Sequence, residues 1–397
     1  MLRCSFALLC GVWGTAGAQS RGSACDDVRA DVGALALPSA VLQRVGPPVA
    51  NETLDSIARI EVAGARVFVQ GVGAQQIDVY AATGRRLRTV GRAGGGPGEF
   101  RGLSAFGLRG DTLWTIDAEL RRLSFFSADG VYLASSRMAG VAGRAATGRP
   151  VTRFALPIAM VADGTLIGTR DYLAAEVARG AVTSQVVVRL SRTGAELDSI
   201  TAVPMGHDAL VLRGKDWTQY REQPFTDGPF VVVARRAGVV YTVAQDVATA
   251  ADAPSATVTA TDVRGRRLWQ RVLRLRGSRV SRGEVDSVTR RLESKVGPKF
   301  AGAVRGALFV PRFRRPVDAV VADEEGGVWL RLAERSGSSL AVYFVLDRDG
   351  RVERCVEAGS RAYVRWVAGD SLWGEVLDAD DVPTISRFVV VPGRPAR

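Results

Sequence analysis

His207 is the only histidine in the 397-residue chain, and that count alone rules out a zinc centre assembled from several imidazoles. A serine nucleophile served by His207 would need a strand-to-helix elbow, and no Gly-x-Ser-x-Gly segment occurs. Calcium asks for hard oxygen donors, which Asp117, Asp163 and Asp323 could supply together with main-chain carbonyls. Aspartates beside short apolar runs more often cap turns, so the expectation is a chain with no obligatory cofactor or metal and no assigned catalytic residue. Binding chemistry has richer material. The segment MGHDALVLRGKDWTQYREQPFTDGPF (Met205–Phe230) gathers Trp217, Tyr220, Arg221 and Phe225, a set able to stack on a flat or sugar-like ligand and hydrogen-bond its edge. The same aromatics would equally serve to pack a long loop onto the body of the fold.

A second stretch with chemical promise is VGRAGGGPGEF (Val90–Phe100), which has the glycines of a phosphate cradle. A Walker loop needs Lys followed by Ser or Thr after its last glycine, whereas Gly98 is followed by Glu99-Phe100. No helical pattern follows whose N-terminus would complete an anion site. The glycines therefore read as a place where the chain turns.

The elements that must position these residues emerge from an internal repeat. Six segments share a short apolar strand, a glycine turn and a second strand: ARIEVAGARVFVQ, AFGLRGDTLWTID, AMVADGTLIGTR, VVVARRAGVVYTV, AVVADEEGGVWLRL and VRWVAGDSLWGEV. Their turn glycines are Gly64, Gly110, Gly164, Gly238, Gly327 and Gly369, and each unit has the pattern of a β-hairpin. A second hairpin follows five of them, at Gly84, Gly130, Gly194, Gly265 and Gly350. Two hairpins make a four-stranded sheet, the unit of a propeller blade, so the expected fold is all-β, a six-bladed β-propeller of four-stranded blades. The last unit lacks its outer strand, and Val41–Gly46 near the N-terminus resembles the outer strand Arg86–Gly91. The N-terminal strand is thus expected to close the last blade and leave no orphan sheet edge.

Two segments interrupt the rhythm, at about 205–229 and 280–310. In the second, Ser281 and Glu284 form a capping-box pattern, and Val285, Val288, Leu292 and Val296 recur at helical spacing before Gly297-Pro298. One inserted helix is expected, docked by that single stripe.

The chain opens MLRCSFALLCGVWGTAGAQS, a basic residue, a short apolar run and small residues, which is the layout of a signal peptide cleaved after Ala18. Residues 1–18 are then the signal, 19–36 an N-terminal extension and 37–397 the propeller. No segment is apolar for long enough to span a bilayer. Export leaves Cys25 and Cys355 in a compartment where a disulfide can persist. Cys355 falls in the outer strand of blade five and Cys25 precedes the strand closing blade six, so the two can meet.

The phrase GRAGGGPGEF, followed by DTLWTIDAELRRLSFFSADG, resembles the NHL repeat of six-bladed, exported bacterial propellers, through Gly98, Phe100, Asp117, Arg121 or Arg122, and Leu123. An asparagine common in that repeat is absent, with Ala118-Glu119-Leu120 in its place. The resemblance is close over residues 86–133 and weaker over about 37–392. It implies the fold far more than an activity, since propellers host unrelated functions. It also brings in metal-dependent hydrolases and lyases, and the single histidine and single asparagine, Asn51, argue against their zinc and calcium sites.

Net charge is +12, with 53 basic residues against 41 acids. The arginines are interspersed with acids and form no basic-aromatic ladder, which argues against nucleic acid. The expected role is non-catalytic binding of an envelope protein, peptide or glycan, in the periplasm or outside the cell.

Overall fold

A computed structural model describes Cys25 and residues 38–49, 56–144, 150–172, 174–177, 182–214, 217–250, 252–275, 277–333 and 339–393. The predicted cleavage site at Ala18 lies outside these residues.

Strand-forming runs rich in Val, Ile, Thr and aromatics alternate with glycine turns, and the chain folds accordingly into small antiparallel sheets in a propeller-like arrangement. Four sheets have four strands each, hydrogen-bonded in sequence order. They are β2–β5 (Ile57–Ala63, Arg66–Gly71, Ile77–Ala81, Arg86–Val90) and β6–β9 (Leu103–Arg109, Thr112–Asp117, Arg122–Ser127, Tyr132–Arg137). Next come β12–β15 (Ala155–Met160, Leu166–Arg170, Ser184–Leu190, Glu196–Pro204) and β18–β21 (Phe230–Ala234, Val239–Asp246, Ser255–Asp262, Arg267–Arg274). A fifth, eight-stranded sheet joins β22–β25 (Val317–Ala322, Val328–Leu332, Leu340–Leu346, Val352–Gly359) to β26–β28 (Ala362–Ala368, Ser371–Leu377, Pro383–Pro392) through β1 (Ser39–Val49).

β1 makes that junction by pairing on both edges. It runs antiparallel to β28, Ala40 opposite Pro392 through Val45 opposite Arg387, and its first residues run parallel to Cys355–Glu357 of β25. The N-terminal strand thus pairs with the last strand of the chain, as closure of the fold requires. The Cys25–Cys355 disulfide, with Cα atoms 5.9 Å apart, fastens the same edge, and both cysteines are fully buried.

Most of the expected turn glycines have the backbone conformation for which glycine is needed: φ is +58° at Gly64, +56° at Gly110 and +57° at Gly369. In the fifth unit the positive φ falls on Gly326 (+112°) and not on Gly327, a one-residue correction. Both glycines sit in one turn, and a local pattern cannot say which of two adjacent glycines takes the strained position.

The apolar core is layered between neighbouring sheets. Phe68, Ile77 and Val79 pack on Phe106, Leu113 and Phe126 between the first two sheets, and Val49, Ile57 and Ile60 pack on Trp366 and Trp373 where the chain closes.

The insertions depart most from expectation. The segment 280–310 holds two helices, not one: α2 (Arg282–Val296) and α3 (Pro298–Ala307), preceded in the chain by a single turn, α1 (Ala174–Val177). Ser281 caps α2, its hydroxyl accepting from Glu284 N at 3.2 Å. Gly297 ends α2 with φ +80°, and Pro298 then starts α3, because proline at a first helical position forfeits no hydrogen bond. The pair Gly-Pro was expected as a stop and acts as a hinge. The segment 205–229 carries a separate hairpin, β16–β17 (Ala209–Arg213, Thr218–Glu222), and a further hairpin, β10–β11 (Val141–Arg144, Pro150–Arg153), was not anticipated at all. Among the described residues no helix is long and apolar enough to cross a membrane.

Candidate functional site

Both predicted insertions lie between the last strand of one sheet and the first strand of the next, so the antiparallel meander delivers them to the same end of the structure. There they pack on each other. Trp217 meets the ring of Phe300 edge-on at 4.4 Å, His207 stacks on Phe309 at 3.7 Å, and Leu210, Leu212, Val296 and Val304 are buried between hairpin and helices.

Between them lies an open cleft of about 950 Å³, walled by the end of β17, one face of α2 and the approaches to β22 and β26. Helical spacing places Glu284, Val288, Arg291 and Lys295 along that wall. Of the three acids on the lining, Glu284 is engaged with Arg314 at 2.7 Å and Asp318 with the buried Arg331, while Glu222 stands at the end of β17. Arg221, Arg291, Lys295 and Arg315 face the cleft with no carboxylate at ion-pair distance among the described residues. Arg315 lies over the Phe230 ring at 5.7 Å. Beside them, Gln223 is 3% exposed and its buried Oε1 has no hydrogen-bond partner among the described residues.

The four residues singled out in the sequence separate here. Arg221 and Phe225 line the cleft. Trp217 belongs to the contact between the insertions, and Tyr220 stands opposite Val211 on the other face of the hairpin. The cause is strand alternation: 217 and 221 share a face, and 220 cannot. The arginines and lysine of α2 and the Arg314-Arg315 pair were missed. Their only signal was the helical spacing of Arg291 and Lys295 along the edge of the apolar stripe, and nothing marked Arg314-Arg315.

A smaller cavity of about 370 Å³ runs through the middle of the fold between the first strands of the sheets. Arg235 crosses it, donating from Nη2 to Glu61 Oε2 at 2.6 Å and from Nε to Glu324 Oε1 at 2.7 Å. Burial by itself would lower the Arg235 pKa, and the two carboxylates more than reverse this, raising it above the ordinary arginine value. The channel is thereby crossed by a charged strut.

The three candidate calcium ligands are all occupied in turns. Asp117 accepts main-chain N–H bonds from Arg101 (2.7 Å), Gly102 and Leu120, Asp163 accepts from Thr165, and Asp323 from Glu325 and Gly369. Among the described residues no three His, Cys, Asp or Glu side chains converge to hold a metal ion. His207 Nδ1 lies 3.1 Å from Asp227 Oδ1, so the imidazole is held by Asp227 and Phe309 at the junction of the insertions.

The glycine-rich stretch supplies its own anion. Glu99 Oε2 accepts from Gly96 N at 2.8 Å and Oε1 from Arg92 Nε at 2.9 Å. The Gly96 amide first, and Arg92 second, hold the Glu99 pKa below the usual carboxylate value. Phe100 is fully buried, its ring filling the space above Gly91, while Arg122 donates to the Gly95 and Glu99 carbonyls.

The fold and site define an all-β protein with a propeller-like arrangement of small sheets and a cationic cleft at one end. No protein-family model matches the chain, and no curated protein does. Among solved structures it is similar to a candidate exported protein of Bacteroides fragilis (11% identity, 89% of this chain and 96% of that one, TM-score 0.46). It is also similar to a DUF4221-family member of Bacteroides vulgatus (9%, 89% and 99%, 0.45) and to streptogramin B lyase (9%, 88% and 98%, 0.40).

Proposed function

We propose that this chain is an exported, six-bladed, NHL-like β-propeller that binds an anionic partner, without catalysis, on the face bearing its two insertions. The six-blade reading is supported by the neighbours of the first strands: β2 lies beside β6, then β12, β18, β22, β26 and β2 again, a closed ring. On this reading the eight-stranded sheet is two blades stitched edge to edge by β1. The NHL reading is supported by the joint action of Phe100, Asp117 and Arg122 in holding the crossover between the first two sheets. The buried disulfide and the signal-like N-terminus favour the periplasm or the extracellular space.

The observation that carries the binding proposal is the cluster of Arg221, Arg291, Lys295 and Arg315 on one cleft without acidic partners. Its volume is that of a ligand site, and guanidinium forks suit carboxylate or sulfate groups. Titration calorimetry of residues 19–397 at low ionic strength, with an acidic peptide and an oligogalacturonate as probes, tests this. Binding should weaken with salt, since these side chains are mostly exposed, and fall by more than about tenfold in Arg291→Glu/Lys295→Glu. No binding of either probe, or binding indifferent to the double reversal, refutes the reading. Metal at one per chain together with hydrolase or lyase turnover would favour the enzymatic alternative instead.

A further inference from the structure

The cleft adjoins an open sheet edge. β17 pairs with β16 alone, in a regular register without a bulge, from Arg213 opposite Thr218 to Ala209 opposite Glu222. Gln223 N donates to Asp208 O and Gly214 N to Trp217 O, which fixes the odd-numbered residues of β17 as those bonded to β16. The main-chain groups of Thr218, Tyr220 and Glu222 therefore point the other way. Helix α3 packs against β16. Among the described residues the only bond to this edge is from Arg221 Nη1 to Tyr220 O, at 3.2 Å. Folded proteins usually protect such an edge with a bulge, an in-strand proline, charges or shortness, and β17 has no bulge and no proline within it, only its five-residue length and the charges of Arg221 and Glu222.

We infer that the edge of β17 accepts an extended acidic peptide by strand addition, its carboxylates directed at the cationic cleft. The inference rests on the anion-binding reading above and names its ligand class. Three observations converge. The edge leads directly into the lining, since Arg221, Glu222 and Gln223 continue from β17 along the cleft wall. The outward N–H and C=O groups of Thr218, Tyr220 and Glu222 offer the ladder bonds that an added strand needs. The cations on the wall complement an acidic chain and repel a second copy of this one, which carries the same face and a net charge of +12. Main-chain bonds would supply the docking and alternate side chains the selectivity, as in other cases of strand addition.

The probe is a fluorescent peptide of about eight residues alternating Glu and Val, long enough to span a strand of this size. It is compared by anisotropy with two versions N-methylated at every second residue, in opposite phases, and with an oligogalacturonate. The expected result is that one methylation phase weakens binding at least about tenfold and the other is tolerated, because only one set of N–H groups faces β17. Tyr220→Pro, which removes an outward N–H, should abolish peptide binding while Tyr220→Ala, which removes the ring and keeps that N–H, retains it, and both should melt close to the parent. Equal binding of all three peptides, or unchanged binding to Tyr220→Pro, overturns strand addition and leaves the anion site standing. Binding of oligogalacturonate but not peptide overturns the peptide assignment in favour of a glycan. Concentration-dependent dimerisation that Tyr220→Pro abolishes assigns the edge to a second copy and overturns it too. Failure of both probes overturns this inference together with the reading it rests on.

Discussion

Replacing Arg235 by methionine keeps most of the side-chain volume and removes the charge that crosses the central channel. The Arg235 side chain is 11% exposed, and the carboxylates it joins, Glu61 and Glu324, are 3% and 8% exposed. Breaking a buried ion pair from one side costs about 3–5 kcal/mol, because the abandoned charge stays buried. The two carboxylates are not equally abandoned. Glu61 keeps Arg59, whose Nε lies 3.0 Å from its Oε1, whereas among the described residues Arg235 is the one cation bonded to Glu324. The loss therefore falls mainly on Glu324, and the lower end of the range, about 3 kcal/mol, is expected. Adding Glu324→Gln to Arg235→Met should recover more than half of it, and adding Glu61→Gln should recover less. Urea unfolding followed by tryptophan fluorescence, compared through midpoints and slopes, reads all four proteins. A cost below about 1 kcal/mol for Arg235→Met, or equal rescue by the two glutamines, would refute the reasoning that the strut holds three sheets by mutual burial of charge.

The disulfide closes 330 residues of chain, so Cys355→Ser should lower stability by up to about 6 kcal/mol in the chain-entropy estimate. Residues 19–397, denatured without reduction, should show almost no free thiol, and two thiols per chain would overturn the bridge. Glu99, its pKa held down by Gly96 and Arg92, contributes stability above the ordinary carboxylate pKa and loses it as pH falls through the depressed folded value. The Gly96 amide resonance should accordingly titrate below the usual carboxylate midpoint. Titration at or above that midpoint would show that the loop is not closed by this carboxylate.

The glycine turns were legible in the sequence because a positive φ is a local demand: Gly64, Gly110 and Gly369 need no distant partner to explain them. The capping residue Ser281 was legible for the same reason, as its bond spans three residues. The closing strand was legible because Val41–Gly46 repeats a pattern found elsewhere in the chain. Tertiary structure decided what depends on direction and distance. It turned the expected stop at Gly297-Pro298 into a hinge between helices, and it sent Trp217 and Tyr220 to opposite faces of one hairpin. It also joined Arg235 to partners 174 and 89 residues away, a contact with no periodic trace in the sequence. The cationic cleft belongs to the same class, since its charges come from a hairpin, a helix and a loop that meet only because successive meanders deliver their crossovers to one end of the fold.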